Sequence, residues 1–518
     1  MQCPRCGHVN PHNYRFCGNC GRSPSDAAAD SEQGAQRWRQ ATRYLCAAVH
    51  FDRKLARAVV EQVLEEPLRA VVQSPAVDLE AVCRHAVAAQ RRHAVRDGAL
   101  VAAWVIWILY WVVSAYSGFA PPGLFVFAGM LSGLPLFVLL TWFIVFVDSY
   151  LVRWGATARS LRYGVFQPDR APVPQTDLAR RQLTHVTHYA KSNITVYQGY
   201  RPFMGHGWSV RGWSFALDIT RPHRADEPIE PFTAVDLNER IAQRITDLGL
   251  PGTAVGNRMF VSGDDIHHDR RFLPDASGRP VAWVDDTTMA ALMLHPENHA
   301  RPYLTTEIVN WDGEFVWSAF VRAVVSDTSM FVEVNYCVLP PLRMSYHEID
   351  DLLLHPAFRR VLRLMSGSLR ALPRAVLFCL PGALRPIFAA WRFDQKVSAQ
   401  LRRVQEVFTY DHGALISVRE AASDLRKNKD IVSLGYHRYF QMLDEQMYTK
   451  IVEKRIAETL EQFLTEHNID PAELLRRTEQ IFNSNVTIGG DATLVNSAIG
   501  GSSAVAGSSS GRSTPENR

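Results

Sequence analysis

GALVAAWVIWILYWVVSAYSGFAPPGLFVFAGMLSGLPLFVLLTWFIVFV, residues 98–147, contains no Asp, Glu, Lys, Arg or His and decides the architecture of the chain. An uncharged run of this length is too long for the core helix of a soluble protein. Glycines and two adjacent prolines break the run at residues 117–123. The two remaining spans, residues 99–116 and 124–147, are each long enough to cross about 30 Å of hydrocarbon. The sequence therefore predicts a two-helix transmembrane hairpin in contact with the lipid bilayer.

Positive charge flanks this hairpin on both sides but is missing from its turn. The arginines nearest the spans are Arg91, Arg92, Arg96, Arg153, Arg159 and Arg162. Because segments rich in Lys and Arg stay in the cytoplasm, both ends of the hairpin, and with them both termini, are expected there. Arginine far exceeds lysine in the composition, which is typical of a GC-rich bacterial genome. We therefore expect a multi-pass protein of the bacterial inner (plasma) membrane.

Gly129 and Gly133 form a GxxxG motif in the second span. Small residues at this spacing let another helix approach closely. The helix that approaches is either the first span of the same chain or a span of a second copy. The motif therefore leaves a homo-oligomer open as an alternative to packing within the hairpin.

Two Cys-x-x-Cys pairs lie near the N-terminus, each followed by a glycine, and consist of Cys3, Cys6, Cys17 and Cys20. Two residues between paired cysteines let one tight turn direct both thiolates at a single ion, and two such turns complete a tetrahedron. All four positions are then taken by protein ligands, so the zinc cannot activate water. The sequence predicts a structural zinc site whose binding energy folds this short segment.

The motif CPxCG…FCxxCG over residues 3–21 resembles that of the short zinc-ribbon family found at the N-terminus of many bacterial membrane and regulatory proteins. Ribbons of this type sometimes bind nucleic acid or protein. Nucleic acid is disfavoured here, because the thiolates offset the charge of Arg5, Arg15 and Arg22, and the formal net charge of the whole chain is only +4. Beyond residues 3–21 we identify no resemblance to a characterised family.

The segment after the hairpin mixes strand and helix patterns. Asp312-Gly313 separates the strand-like runs 303–311 and 314–324 and favours the tight turn of a hairpin, and a third run follows at residues 330–339. A helix is predicted at residues 236–248, with Asp236 and Glu239 as its capping box. Shorter strands are predicted at residues 194–197, 213–219, 258–261 and 281–284. This combination indicates an α+β domain with antiparallel strands.

The fold class is therefore a multi-domain membrane protein with an N-terminal zinc ribbon, a transmembrane hairpin, a cytoplasmic α+β domain and C-terminal helices. The predicted boundaries are residues 1–22 for the ribbon, 23–36 for a flexible linker, 37–97 for cytoplasmic helices, 99–116 and 124–147 for the spans, 160–345 for the α+β domain, 346–482 for a helical region with a basic apolar segment, and 483–518 for a low-complexity tail.

Gly205, His206 and Gly207 form a candidate ligand loop between two predicted strands. Glycines of this kind let backbone N–H groups surround an anion, and the alternative is a tight, half-buried turn. His185 with His188, and His267-His268-Asp269, are weaker candidates for metal ligands, because neither set offers a complete group of ligands.

Arginine alternates with large apolar residues between residues 358 and 392, where no acidic side chain occurs. The candidate membrane-interface residues are Arg359, Arg360, Arg363, Arg370, Arg374 and Arg385. Such a segment fits the surface of an anionic leaflet, and the alternative is packing on the α+β domain with solvated arginines. Pro373, Pro381 and Pro386 are expected to divide it into pieces too short to span the bilayer.

The chain contains no Walker phosphate loop, no GxSxG elbow and no HExxH motif. The first hypothesis is therefore a membrane-anchored, cytoplasm-facing binding or scaffold protein that contacts other proteins through its ribbon and α+β domain. An enzyme with an unrecognised active site near His206 in residues 160–345 is the second hypothesis. A nucleic-acid sensor acting through the ribbon is the third.

Overall fold

The computed structural model describes residues 39–116, 122–352, 357–407, 410–428 and 431–483. The four cysteines predicted to bind zinc and the low-complexity tail after residue 483 lie outside these ranges. The zinc site, the flexible linker and the tail therefore stay predictions from the sequence.

The N-terminal part is helical up to residue 160. Its helices are α1 (Arg39–Phe51), α2 (Arg53–Val59, continued by a π-helical turn, Val60–Leu64), α3 (Leu79–Tyr116), α4 (Pro122–Trp154) and α5 (Ala156–Ser160). Asp52 caps α2 by accepting hydrogen bonds from the N–H groups of Lys54 and Leu55. Asp78 does the same for α3 through Ala81. The predicted cytoplasmic helix and the first predicted span are thus a single continuous helix, α3.

In the part of the chain that the structure describes, two helices are long and apolar enough to cross a membrane, over Leu79–Val113 and Gly133–Ser160. They pack against each other through aromatic side chains, with Trp104 and Trp107 of α3 against Phe137 of α4. A Cβ atom at Gly133 would lie only 2.8 Å from the Tyr110 ring, so this glycine of the GxxxG motif faces the first span. Large apolar residues on the outer faces of both helices are exposed.

A six-stranded sheet forms the centre of the following domain, with the strand order β1-β3-β4-β5-β6-β2. Its strands are β1 (Ile194–Tyr197), β2 (Trp208–Asp218), β3 (Thr253–Ser262), β4 (Ala300–Asn310), β5 (Phe315–Val325) and β6 (Ser329–Leu339). Only β1 pairs in parallel, with β3, and the other neighbours are antiparallel. The prediction of an α+β domain with antiparallel strands is confirmed.

The Asp312-Gly313 turn joins β4 to β5 as predicted, with Asp312 at φ 57° and Gly313 at φ 87°. Two local predictions were wrong. The capping box of the helix at Ala234–Thr246 consists of Thr233 and Asp236, so the helix begins earlier than predicted. Residues 281–284 form no strand, because they lie in a loop that pairs with no neighbouring strand, with Ala282 and Val284 buried and Trp283 exposed.

The remaining helices pack partly on the sheet and partly on the N-terminal helices. They are α6 (Asp177–His188), α7 (Ala234–Thr246), α8 (Asp286–Leu294), α9 (Glu348–Asp351), α10 (Phe358–Leu377), α11 (Cys379–Leu384), α12 (Ala389–Glu406), α13 (Val418–Ala421), α14 (Tyr439–Glu466) and α15 (Ala472–Asn483), and a short two-stranded ribbon, β7 (Leu425–Asn428) with β8 (Ile431–Leu434), precedes α14. Helices α7 and α14 bury Leu237, Ile241, Val452 and Ile456 against one face of the sheet.

The basic apolar segment packs on the hairpin. Leu372 and Cys379 share a small core with Leu100 and Val145 of the two long helices. Helix α10 continues through Pro373, contrary to the expectation that this proline divides the segment. A proline removes one backbone hydrogen bond, and the contacts of Leu372 with the hairpin hold the helix together across that position.

The N-terminal helices share their core with the sheet. Leu45, Val59 and Val82 belong to the same buried cluster as Met259 and Val261 of β3. The segment between the π-helical turn and α3 therefore runs over the sheet, and the space between the two forms the pocket described next.

Candidate ligand pocket

A cavity of about 460 Å³ lies between the N-terminal helices and the sheet. This volume is in the range of pockets that hold small molecules. Its lining residues are Thr42, Gln73, Ser74, Pro75, Ala76, Val77, Asp78, Pro168, Ala190, Ser192, Arg258 and Glu307. The lining comes from six separate parts of the chain, so the pocket exists only where the helices are docked on the sheet.

Arg258 and Glu307 provide the charged side chains that the sheet contributes. Glu307 of β4 lies opposite Ala254 of β3, so the two side chains share one face of the sheet. Arg258 follows Ala254 by an even number of residues, so the side chains of Arg258 and Glu307 also emerge on the same face. Arg258 Nη2 lies 3.9 Å from Glu307 Oε1. The pocket therefore offers a positive and a negative group side by side.

His206 stands behind Glu307 and is completely buried. Its Nε2 lies 3.0 Å from Glu307 Oε1. Burial raises the pKa of Glu307, but the hydrogen bond and electrostatic interaction with His206 and the positive charge of Arg258 outweigh burial, so this pKa lies below its usual value. At neutral pH Glu307 is a carboxylate fixed in position by His206.

The loop predicted to hold an anion donates its N–H groups to Glu420 of α13. Gly205 N and Gly207 N lie 2.6 Å and 3.0 Å from Glu420 Oε1, and Arg201 Nη2 lies 2.7 Å from Oε2. The Glu420 side chain is 5 % exposed. These loop N–H groups thus hold a carboxylate of the protein itself.

Both glycines of this loop are required by its geometry. Gly205 has a φ of 100° and Gly207 a φ of 92°, backbone angles that residues with a Cβ atom rarely adopt. A Cβ at Gly205 would lie 2.6 Å from Gln73 O, and a Cβ at Gly207 would overlap the backbone of Val338. The loop therefore fixes His206 against Glu307. It also packs closely against the segment that contains Gln73, a residue of the pocket lining.

Three polar atoms of the lining residues are buried and have no hydrogen-bond partner among the described residues: Gln73 Nε2, Ser192 Oγ and Arg258 Nη1. A buried donor without a partner costs about 1–3 kcal/mol. All three atoms can donate, so together with the Glu307 carboxylate they suit a small molecule that has several acceptors and at least one donor.

Sequence reasoning identified His206 but missed Arg258, Glu307 and Glu420. A signal for the first two was present, because Arg258 and Glu307 are charged residues within runs otherwise read as strands. The approach of Arg258 to Glu307 depends on strand register, and Glu420 comes from a distant helix. Neither contact could be predicted from local spacing in the sequence.

The other predicted sites lie apart from the pocket. His185 and His188 end helix α6, where His185 is flanked by Arg279 rather than by further ligands. Asp269 contacts Arg271 and His299 instead of joining His267 and His268 in one group. Of the six arginines proposed for the membrane interface, five lie in α10, and Arg385 follows α11 and pairs with Glu61.

A protein-family model described as the AbeC-like domain matches residues 212–496. The match starts within β2, includes Arg258, Glu307 and Glu420, and covers more than half of the 518 residues. No curated protein and no solved structure matches the chain. The chain belongs to the AbeC-like domain family.

Proposed function

We propose that the protein is a membrane-anchored, cytoplasm-facing binding protein whose α+β domain holds a small polar ligand in the pocket between α1–α3 and the sheet. The observation that carries this proposal is the set of unpartnered buried donors at Gln73, Ser192 and Arg258 beside the Glu307 carboxylate. An amino-acid zwitterion is the simplest matching chemistry, with its carboxylate at Arg258 and its ammonium group at Glu307. Asp78 is already engaged as the cap of α3.

The membrane part of the proposal rests on the two apolar helices and on helix α10. Exposed apolar side chains of α10 occur at Phe358, Leu362 and Leu369, and exposed arginines follow each of them, at Arg359, Arg363 and Arg370. Adjacent apolar and basic stripes are typical of a helix that lies in the surface of an anionic leaflet. Since α10 packs on the hairpin, it would lie at the cytoplasmic end of the two spans.

The same proposal includes both termini in the cytoplasm and a structural zinc ribbon at Cys3, Cys6, Cys17 and Cys20, which would serve as an interaction module for other proteins. The charge pattern of the flanking arginines supports the orientation, and the two Cys-x-x-Cys pairs support the metal. The ribbon thus adds a partner-binding end to a ligand-binding, membrane-attached body.

Thermal unfolding of the full-length protein in lipid nanodiscs tests the pocket. Free amino acids and nucleosides serve as the panel, and a ligand at about 100 times its Kd should stabilise the folded protein by about 2.7 kcal/mol. Arg258→Met should weaken binding at least about tenfold, because a hydrogen bond to a charged group contributes about 1.5–3 kcal/mol.

Arg221→Met is the matched control, since Arg221 is 76 % exposed and pairs only with nearby Asp218 in the described structure. This control should keep the ligand-induced shift. Equal shifts in the wild type, Arg258→Met and Arg221→Met would contradict the assignment of the ligand to this pocket.

An enzyme remains the second candidate, because a histidine–glutamate pair stands at the pocket. A general base works best when its pKa lies near the working pH, whereas the pKa of Glu307 is lowered below its usual value. Burial also leaves His206 without direct access to the lining. The pair is therefore better suited to bind a cationic group than to remove a proton.

A further inference from the structure

A second histidine–glutamate pair lies at the β4–β5 turn, which Glu307 precedes and Glu314 follows in the chain. Glu314 follows the turn, His347 ends the short helical turn Met344–His347 after β6, and His437 precedes α14. A ring nitrogen of each histidine and a carboxylate oxygen of Glu314 all lie within 4.8 Å of one another. We propose that Glu314, His347 and His437 bind a divalent first-row transition metal ion, with zinc as the best-fitting one.

Hydrogen bonds around His347 direct one of its nitrogens into the cluster. Its Nδ1 lies 3.3 Å from the carbonyl oxygen of Arg343, which only accepts, so Nδ1 carries the proton. Nε2 then points at Glu314 Oε1, 2.6 Å away, and two lone pairs repel at this distance unless a proton or a metal ion lies between the two atoms. A backbone carbonyl that orients a ligating histidine in this way is the usual second-shell arrangement of metal sites.

His437 supplies the third ligand. Its Nε2 is buried and has no hydrogen-bond partner among the described residues, and Asp424 Oδ2 lies 3.4 Å away. Two imidazoles and one carboxylate form an N/O ligand set that suits zinc and leaves a fourth position for water or Asp424. Side-chain exposures of 13 % for Glu314 and 20 % for His347 leave a route for the ion.

A guanidinium group does not replace the metal in this cluster. Among the described residues the Glu314 carboxylate forms no ion pair with Arg or Lys. Arg419 is buried nearby, but its Nη2 donates to the carbonyl oxygen of Glu314, at 2.6 Å, and to that of Pro340. Arg43 is engaged by Asp350, with Nη–Oδ distances of 2.6 Å and 2.7 Å.

The cluster of Asp269, Glu297 and His299 provides the contrast within the same domain. It has the same count of ligand atoms within reach of one another, but Arg271 Nη2 lies 2.6 Å from a carboxylate oxygen of both Asp269 and Glu297. The guanidinium group of Arg271 therefore provides the positive charge that balances the two carboxylates. We assign no metal to it, and it serves as the internal control.

Helix α1 covers the proposed metal site. The Tyr44 ring lies 4.2 Å from the His347 ring, centroid to centroid, and its hydroxyl donates to Asp350. A metal ion that fixes His347 would also fix the contact with α1. Slower hydrogen exchange of α1 on metal addition is thus a second readout, independent of metal content.

The experiment uses the full-length protein in nanodiscs, stripped with chelator and titrated with Co²⁺ and Zn²⁺. Cobalt bound by thiolates shows charge-transfer bands that an N/O site lacks, so the N-terminal ribbon and the proposed site are distinguished in one titration. The wild type should bind one equivalent of Co²⁺ with thiolate charge-transfer bands, at the ribbon, and one equivalent without them, at the proposed N/O site. His437→Gln should weaken the N/O site at least about 100-fold and leave the thiolate bands unchanged.

His299→Gln, in the control cluster, should retain the N/O site with an unchanged affinity. Circular dichroism of the metal-free variants checks that each is folded, and metal should slow exchange in α1 of the wild type but not of His437→Gln. The proposal is overturned if the wild type shows no N/O-type site, if folded His437→Gln binds as tightly as the wild type, or if His299→Gln loses the site equally.

Discussion

The two histidine–glutamate pairs of the domain are close in geometry and different in surroundings. His206 lies 3.0 Å from Glu307, and His347 lies 2.6 Å from Glu314. The first pair is accompanied by Arg258 and borders a cavity of about 460 Å³. The second is accompanied by His437. The pair by itself thus specifies no function, and the third group decides whether the site suits a polar organic molecule or a metal ion.

The pairs also differ in how the backbone fixes the histidine. Gly207, next to His206, adopts φ 92° in a loop held by Glu420, whereas His347 lies in an ordinary helical turn. A Cβ at Gly207 would overlap the backbone of Val338. Gly207→Ala should therefore lower the free energy of unfolding by about 4 kcal/mol or more.

Urea denaturation of the protein in nanodiscs measures this effect. Gly256→Ala in β3 is the control, because a Cβ there meets no atom within 4 Å and the backbone needs no positive φ. The control should change stability by less than about 1 kcal/mol. Similar losses for the two alanine variants would show that the loop is not the constraint that fixes the first pair.

Matched Glu→Gln changes separate the two sites. Glu314→Gln should weaken zinc binding at the N/O site about 100-fold, because a carboxamide is a poor ligand for the metal, and should leave ligand binding in the pocket intact. Glu307→Gln should weaken binding of the pocket ligand and leave zinc binding at the N/O site intact. Isothermal titration of each variant with zinc and with the pocket ligand gives four affinities, and a loss of both affinities in either variant would mean that the sites are not independent.

The sequence predicted the sheet, the hairpin at Asp312-Gly313 and the apolar helices because each depends on local pattern. It did not predict the pocket, whose residues Gln73, Ser192 and Arg258 meet only when the N-terminal helices pack on the sheet. It also could not tell that the anion held by Gly205 and Gly207 is the side chain of Glu420, since that contact joins segments far apart in the chain.

Acid stability provides a smaller test of the first pair. Because the pKa of Glu307 is lower in the folded protein than in the unfolded chain, its charged form stabilises the fold above the unfolded value, and this contribution is lost as the pH falls through the folded pKa. The free energy of unfolding of the wild type should therefore decline more steeply than that of Glu307→Gln below about pH 4.5. Parallel declines in urea titrations at several pH values would indicate that Glu307 is not held by His206 and Arg258.

The smallest effect is expected at helix α10, which lies outside both pairs. Replacing Arg359, Arg363 and Arg370 with Gln should remove about 1 kcal/mol of membrane-surface attraction per residue. Hydrogen exchange of Phe358–Leu377 should then no longer be slower in anionic than in neutral nanodiscs. Arg221→Met, Arg224→Met and Arg240→Met form the control set of exposed arginines, and the affinities at both pairs should stay unchanged in either set.

Native mass spectrometry of the protein released from nanodiscs tests the central claim, the binding of a small polar molecule beside Arg258, most directly. We predict that the wild type and Arg221→Met carry one bound small molecule, taken up from the amino-acid and nucleoside panel, and that folded Arg258→Met does not. The same bound mass in folded Arg258→Met, or none in the wild type at saturating concentrations of the panel, would contradict it.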